Sequence, residues 1–331
     1  MMMNLGHEVI VYSGHDNDAP CTEHVKVATK AWQKQTFNIE GPDDILKPPL
    51  DEILYQTWQP WWNEWNRMVW QKMESRIQPK DFVCLIGGGV LFEPLIQAVH
   101  ERGAMAVEYA VGYAGISANT FHAFGASSWR HVVFGLQAPK DWRGSFYDRT
   151  IPHYFNPDDF EYREAKDDYF LYLGKLKEDK GVNVAARACQ AAGVPLISAG
   201  NGPTPIEYGE VRRHYIGPVE RRELLAGARA VFTPSLYTEP FGMIAVEALL
   251  SGTPVISTPF GGFGDIVLDG KTGFQCNNMK DFVAAAKNID TISPIDCRNR
   301  GLEYTYDAVA PQYQRWFDDL SGLWGEGWGA L

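Results

Sequence analysis

The segment EPFGMIAVE places Glu239 and Glu247 at the two ends of seven residues that are almost all apolar. Taking an ionised carboxylate out of water is costly, so each glutamate is expected to hold a partner. The longer stretch AVFTPSLYTEPFGMIAVEALLSGTPVIST reads as strand, loop, helix and strand. Pro240 suits the first turn of that helix, where its missing N–H is not needed. The amides of Phe241, Gly242, Met243 and Ile244 then form the positive end of a helix dipole, where an anion binds well. Gly242 carries no side chain to block the approach. The helix is apolar nearly all round, which marks it as buried. Two carboxylates would thus flank one anion-binding helix start. The plainer reading makes Glu239 a dipole-stabilising residue and sends Glu247 to a surface edge.

The elements around this stretch favour the first reading. Short apolar, β-rich runs alternate with helical patterns, the signal of βαβ units and a parallel sheet. Strands are expected at 7–12, 81–87, 104–110 and 131–135, and again at 169–174, 195–200, 213–217, 230–235 and 253–258. Helices are expected at 90–102, 181–192, 219–227, 240–251, 278–290 and 296–320. Glycines gather where the strands end, as GGG at 87–89, GK at 174–175, GNGP at 200–203 and GPV at 217–219. Ligands of open parallel sheets bind outside those strand ends. Gly174 and Asn201 therefore join the candidate site.

Composition narrows the classes. The chain has 331 residues, 45% of them hydrophobic and 21% charged, enough for two globular domains. A formal net charge of -11 argues against nucleic acid, whose phosphates call for excess Lys and Arg. Five scattered cysteines form no paired metal spacing and point to a reduced, cytoplasmic setting. No apolar run reaches the roughly 18 residues needed to span a bilayer.

The order of motifs YLGKLKEDKG, LISAGNGP, YIGPVERRELLAGARAVFTPS and EPFGMIAVEALLSGTPVISTPFGGFGDIVLDGKTGF resembles the retaining glycosyltransferases of the GT-B fold, family 4 in particular. It runs over about 168–275; the first half matches only loosely, at LGHEVIVYS and IPHYFNPDDF. The resemblance implies two Rossmann-like doubly wound α/β domains facing across a cleft. It implies a nucleoside diphosphate sugar as donor, UDP-glucose favoured and GDP-mannose next. The acceptor would be a glycan, lipid or small molecule. Neither a cofactor nor a metal is expected. It points to Glu239 for the donor-sugar hydroxyls, Glu247 for the ribose, and the amides of 241–244 for the sugar and diphosphate. Lys175 and Lys180 match the basic positions that hold the diphosphate. Val219 falls beside the base, and Leu224 could pack on it. Lysine at 175, where the family usually has arginine, keeps the charge but loses the bidentate fork.

Two features depart from the pattern. The chain opens at the end of a helix running into a strand, so the N-terminal domain is expected to lack its first strand, loop and helix. The loop VEYAVGYAG lacks the histidine often found there; Glu108, Tyr109, Tyr113 or His122 would stand in on the acceptor side. The expected domains are 1–152, 153–306, and a helix and tail at 307–331 that returns to the first domain. Trp58, Trp62 and Trp65 recur on one helix face with Trp61 beside them, a packing surface or else an acceptor or membrane face. A sugar-binding protein without catalysis and a glycosidase using the two glutamates are the rival classes.

Overall fold

The computed structural model describes residues 2–15, 17–38, 59–113, 115–137, 145–214 and 216–326. The chain divides into two compact units. One comprises Met1–Phe124, Gln137–Ile151 and Ala310–Leu331; the other comprises Gly125–Leu136 and Pro152–Val309.

The first unit opens with β1 (Ile10–Ser13) and β2 (Glu23–Lys26), a parallel pair separate from the unit's main sheet. Helix α1 (Lys30–Phe37) starts where the Thr29 side chain accepts from the Trp32 amide. Helix α2 (Pro60–Met73) begins on a proline. Then follow β3 (Phe82–Leu85), α3 (Glu93–Glu101), β4 (Met105–Val111) and β5 (Phe121–Phe124). Helix α4 (Ser127–Gln137) falls almost wholly in the second unit, and β6 (Arg149–Thr150) returns to the first. Strands β3, β4, β5 and β6 pair in that order, all parallel. Their core is Leu91, Leu95, Ile96, Val99 and Ala106, with Val69 and Met73 of α2.

The second unit carries β7 (Phe170–Leu173), α5 (Val182–Ala192), β8 (Leu196–Ala199), β9 (Glu210–Arg212), α6 (Pro218–Gly227), β10 (Val231–Thr233), α7 (Met243–Leu250), β11 (Val255–Ser257), α8 (Gly262–Ile266) and β12 (Gly273–Gln275). Helices α9 (Met279–Asn288), α10 (Pro294–Leu302) and α11 (Tyr306–Glu326) follow, the last continuing into the first unit. The strands run parallel in the order β9-β8-β7-β10-β11-β12. Strands covered on both faces need unbroken apolar runs, and Phe170, Leu171, Val231, Phe232, Val255 and Ile256 are almost wholly buried. The chain winds outward from β7 to β9, then crosses back to β10 beside β7 and winds the other way. The β7–β10 junction is the switch point at which such sheets leave a crevice for ligands.

Several expectations change. Residues 131–135, expected as a strand, lie in α4, where Trp129, Val132, Val133 and Leu136 keep the helical spacing. The real strand is Phe121–Phe124. The strand expected at 213–217 ends at Arg212. The single helix expected at 296–320 breaks at Glu303–Thr305. There the Tyr304 carbonyl accepts from the Phe155 amide at 2.9 Å and the Tyr306 amide donates to Phe155 at 3.2 Å. The tryptophan face of α2 is a packing surface: Trp62 meets Phe92 at 5.5 Å, Trp65 meets Trp32 at 6.2 Å, and Trp61 meets Phe37 at 5.0 Å. Trp58 lies outside the described residues. Trp324 near the chain end packs on Phe82 at 4.9 Å. Among the described residues no helix is long and apolar enough to cross a membrane.

Glu108, expected on the acceptor side, is instead committed to the fold. It is only 1% exposed. It accepts from the Gly89 amide at 2.6 Å, the Ser117 amide at 2.8 Å and the Thr120 hydroxyl at 2.6 Å, with His122 Nε2 at 3.3 Å. Its acceptor capacity is used on two loops, so no acceptor can reach it. His122 is equally enclosed: Nδ1 donates to Asp148 at 3.0 Å and its backbone amide donates to the same carboxylate at 2.9 Å. Burial opposes charge on the imidazole, but Asp148 and Glu108 outweigh it and raise its pKa to about 9. Burial also opposes charge on Glu108, yet the bonds from His122, Thr120 and Ser117 hold its pKa below the usual carboxylate range. A raised histidine pKa contributes stability that is complete below the unfolded value near 6.5 and is lost as pH rises through about 9. Denaturant unfolding should show the first unit losing on the order of 3 kcal/mol across that interval. His122→Gln should be less stable at neutral pH and should flatten the alkaline loss; an unchanged slope would exclude His122 as its source.

Candidate functional site at the switch point of the second sheet

The crevice-forming ends of β7 and β10 are where the candidate residues meet. After β7 the chain passes Gly174 and Lys175 and reaches Lys180 just before α5. This turn is tied down from beneath: the buried Tyr172 hydroxyl donates to the Lys175 carbonyl at 2.8 Å and to that of Lys180 at 3.4 Å. The Leu176 amide donates to the Asn201 carbonyl at 2.7 Å, joining the turn to the glycine loop after β8. That loop is held in turn by Arg213, which donates to the carbonyls of Gly202 and Thr204 at 2.5 and 2.6 Å.

After β10 the chain runs through Ser235 and Tyr237 to Glu239. The backbone of Glu239 bridges to Gly261, and its carbonyl accepts from the Gly262 amide at 2.8 Å. Gly261 has φ +65°, and a Cβ there would lie 2.1 Å from the Glu239 carbonyl oxygen. Only glycine allows so close a brace. The Glu239 carboxylate accepts from Lys180 Nζ at 3.0 Å and from the Tyr237 hydroxyl at 2.6 Å, both on Oε2. The Lys180 ammonium also lies 4.7 Å from the centre of the Tyr237 ring, a cation–π position. The lysine, tyrosine and glutamate form one polar knot beside the start of α7.

Helix α7 begins at Met243 with Gly242 as its N-cap, in the left-handed region at φ +95°. A Cβ on Gly242 would come within 2.4 Å of the Phe263 ring. Its lack of a side chain is therefore demanded by packing on α8 as well as by access to the helix end. Phe241 is buried, with its ring stacked 4.4 Å from that of His153. Met243 is 48% exposed and Ile244 half-buried, so the first turn meets solvent while the rest of the helix does not. Burial pushes the His153 pKa down to about 4, so it packs on Phe241 as neutral imidazole.

Glu247 lies on the second turn of α7 and is only 3% exposed. The plainer expectation of a surface edge is thereby removed. Its Oε2 accepts from Arg221 Nε at 2.8 Å and from Arg221 Nη2. Arg221 belongs to the first turn of α6. That turn is fixed by Glu220, which accepts from Arg212 at 3.1 Å and pairs with His214 at 2.9 Å. Val219, on the same turn, is 73% exposed and stands open to a ligand. Leu224 is not: it is 5% exposed and packed in the core of the unit, so it cannot lie against a base.

The site thus brings together Gly174, Lys175, Lys180, Asn201, Glu239, Glu247, Val219 and the start of α7 within one unit. Tyr109 and Tyr113 belong to the other unit; Tyr109 meets the Tyr313 ring at 6.1 Å and Tyr113 is exposed. Sequence reasoning did not single out Tyr237 or Arg221. Tyr237 sits two positions before Glu239, but an aromatic in a loop carries no signal of its own. Arg221 lies in a run of charged residues, VERRE, that reads as a solvated helix face. Among the described residues, no group of three or more His, Cys, Asp or Glu side chains is placed to hold a metal.

Comparison with known proteins gives three kinds of likeness. Residues 167–291 match the family described as glycosyl transferases group 1. A glycogen synthase of Mycobacterium tuberculosis is 34% identical over 138 residues, a stretch that covers 36% of this chain and 33% of that protein. The match thus spans about a third of that curated relative. Among solved structures, the sucrose-phosphate synthase of Thermosynechococcus elongatus superposes with a TM-score of 0.65 at 17% identity, covering 97% of this chain and 91% of that one. Anabaena Alr3699/HepE, in complex with UDP and glucose, gives a TM-score of 0.58 at 14% identity, covering 78% and 82%. The fold is α/β with parallel sheets, of the GT-B type seen in glycosyltransferases.

Proposed function

We propose that this protein is a retaining glycosyltransferase that moves a sugar from a nucleoside diphosphate sugar to an acceptor hydroxyl. The observation that carries the reading is the Lys180–Glu239–Tyr237 knot beside the exposed first turn of α7, with Glu247 buried one turn further along the same helix. The group 1 match over residues 167–291, and the UDP and glucose held by one structural neighbour, support it.

In this reading the diphosphate lies over the start of α7, where backbone amides and the helix dipole face it. Lys175 and Lys180 approach from the turn after β7. Departure of the diphosphate builds negative charge, and fixed cations and amides lower that barrier without reorganising. Glu239 holds hydroxyls of the sugar, and Glu247 holds the ribose. The same electrostatics serve without a metal. A UDP-sugar such as UDP-glucose is the favoured donor, GDP-mannose the next. The acceptor, a glycan, lipid or small molecule, would be taken by the first unit, with Tyr109 and Tyr113 as candidates. Family 4 membership and a cytoplasmic location, peripheral to a membrane or free, complete the proposal.

A thermal-shift screen over nucleoside diphosphates and their sugars, followed by a transfer assay with the best donor, tests it. Donor binding with neither transfer nor donor hydrolysis would replace catalysis by simple sugar-nucleotide binding. Release of free sugar from a glycoside lacking any nucleotide would favour a glycosidase instead. Glu247→Ala should weaken binding of the free nucleoside diphosphate by roughly tenfold or more, the loss of a charged hydrogen bond. Glu239→Ala should leave that affinity within about threefold and lower kcat by roughly a hundredfold. Tyr237→Phe removes one hydrogen bond from Glu239 but keeps Lys180 in place. It should lower kcat by about threefold to tenfold, with nucleotide affinity unchanged.

A further inference from the structure

We infer that Arg221 is a specificity-determining residue of the nucleotide subsite, supplying the donor half of a cis-diol reader whose acceptor half is Glu247. The inference rests on the proposed function, in which Glu247 faces the ribose.

The geometry of the pair carries it. Both lone-pair positions of Glu247 Oε2 are used, by Arg221 Nε and Nη2. Oε1 accepts from no described residue, and Arg221 Nη1 donates to none. The two partners differ sharply in access: the Glu247 side chain is 4% exposed and that of Arg221 39%. The pair fastens α6 to α7 and still leaves an edge open on its exposed side. Here one unfilled acceptor and one unfilled donor lie on the same ion pair. Both stand on rooted elements, because Leu224 and Leu225 hold α6 in the core and α7 is buried from Ala245 to Leu250.

The chemical complement is two adjacent hydroxyls. Each hydroxyl both donates and accepts. One gives its proton to Glu247 Oε1 while its neighbour accepts from the guanidinium. A single hydroxyl satisfies one partner and strips water from the other, which a partly buried charge penalises. Arginine suits the task because its planar fork holds the carboxylate with two N–H groups and still presents others; lysine has no such division of labour. The nearby exposed Val219 offers an apolar surface to the base attached to such a diol. The ligand class is accordingly a ribonucleotide, with its deoxy form rejected at this position.

Calorimetric titration of the full chain with UDP, GDP and ADP, each against its 2′-deoxy and 3′-deoxy counterpart, tests the inference. Wild-type protein should bind its preferred ribonucleotide about tenfold or more tightly than at least one deoxy form. Arg221→Met should bring that ratio close to unity by weakening the ribonucleotide more than the deoxy form. Arg221→Lys, which keeps the charge against Glu247, should fold and reduce the ratio to about threefold. Wild-type discrimination preserved in either variant would overturn the inference, and a lowered melting temperature with an unchanged ratio would reduce the pair to a helix fastener. Absence of binding to every nucleoside diphosphate by the wild type would instead remove the proposed function, and the reader with it.

Discussion

Two carboxylates at one buried helix each meet a cation carried by a different element, and much of the second unit is arranged so that these meetings occur. Lys180 arrives on the turn between β7 and α5, and Arg221 on the first turn of α6. The turn bearing Lys180 lies two helices before α7 in the chain, whereas α6 is the helix immediately before it. They are brought together by the order of the strands, which places β7 beside β10 at the centre of the sheet. The reversal of winding there opens the crevice; Lys180 comes from the loop after β7, while Arg221 comes from the start of α6, which follows the edge strand β9. Closing such an ion pair against the desolvation of the carboxylate requires good geometry. That requirement explains the backbone bracing from Tyr172, Gly261 and Arg213, none of which has to touch a ligand.

Much of this was legible in the sequence because it rests on local rules. The two glutamates and the glycine at 242 are marked by residue type and spacing, whereas Lys175 and Lys180 stand out only through the resemblance. Pro240, expected in the first helical turn, lies before α7, which starts at Met243 behind the Gly242 cap. The centre of the second sheet was equally visible, since strands buried on both faces must be apolar throughout, while its polar edge strands β9 and β12 were misplaced or not expected. What escaped was long-range partnership. Arg221 reads as one charge among several in VERRE until the fold lays it on Glu247. Tyr237 is anonymous until its hydroxyl is seen on Glu239. Residues 131–135 contain a short β-branched run, and only the wider spacing of Trp129, Val133 and Leu136 identifies α4. Short apolar runs carry that ambiguity in general, and length and period have to decide it. Leu224 was misread for the opposite reason: a side chain near a functional motif in sequence can face away from it on a helix.

Glu108, Glu247 and the half-buried Glu239 show what separates a carboxylate committed to the fold from one left able to meet a ligand. Glu108 and Glu247 are almost equally inaccessible, at 1% and 3% exposure. Glu108 is surrounded by donors that belong to fixed backbone and short side chains, so nothing external can displace them without unfolding the loops at Gly89 and Ser117. Among the described residues the Glu247 carboxylate has a single partner, and that partner is a long side chain with a solvated face. Glu239 lies between these cases: its cation, Lys180, is partly exposed and shares its charge with the Tyr237 ring. A diphosphate arriving at the start of α7 would compete for that ammonium, loosening its hold on the carboxylate as the sugar comes within reach of Glu239. In the proposed reading, binding of the leaving group and release of Glu239 for the sugar would then be one event, linked through one lysine. Burial alone does not separate these carboxylates; the nature and solvent access of the partner does.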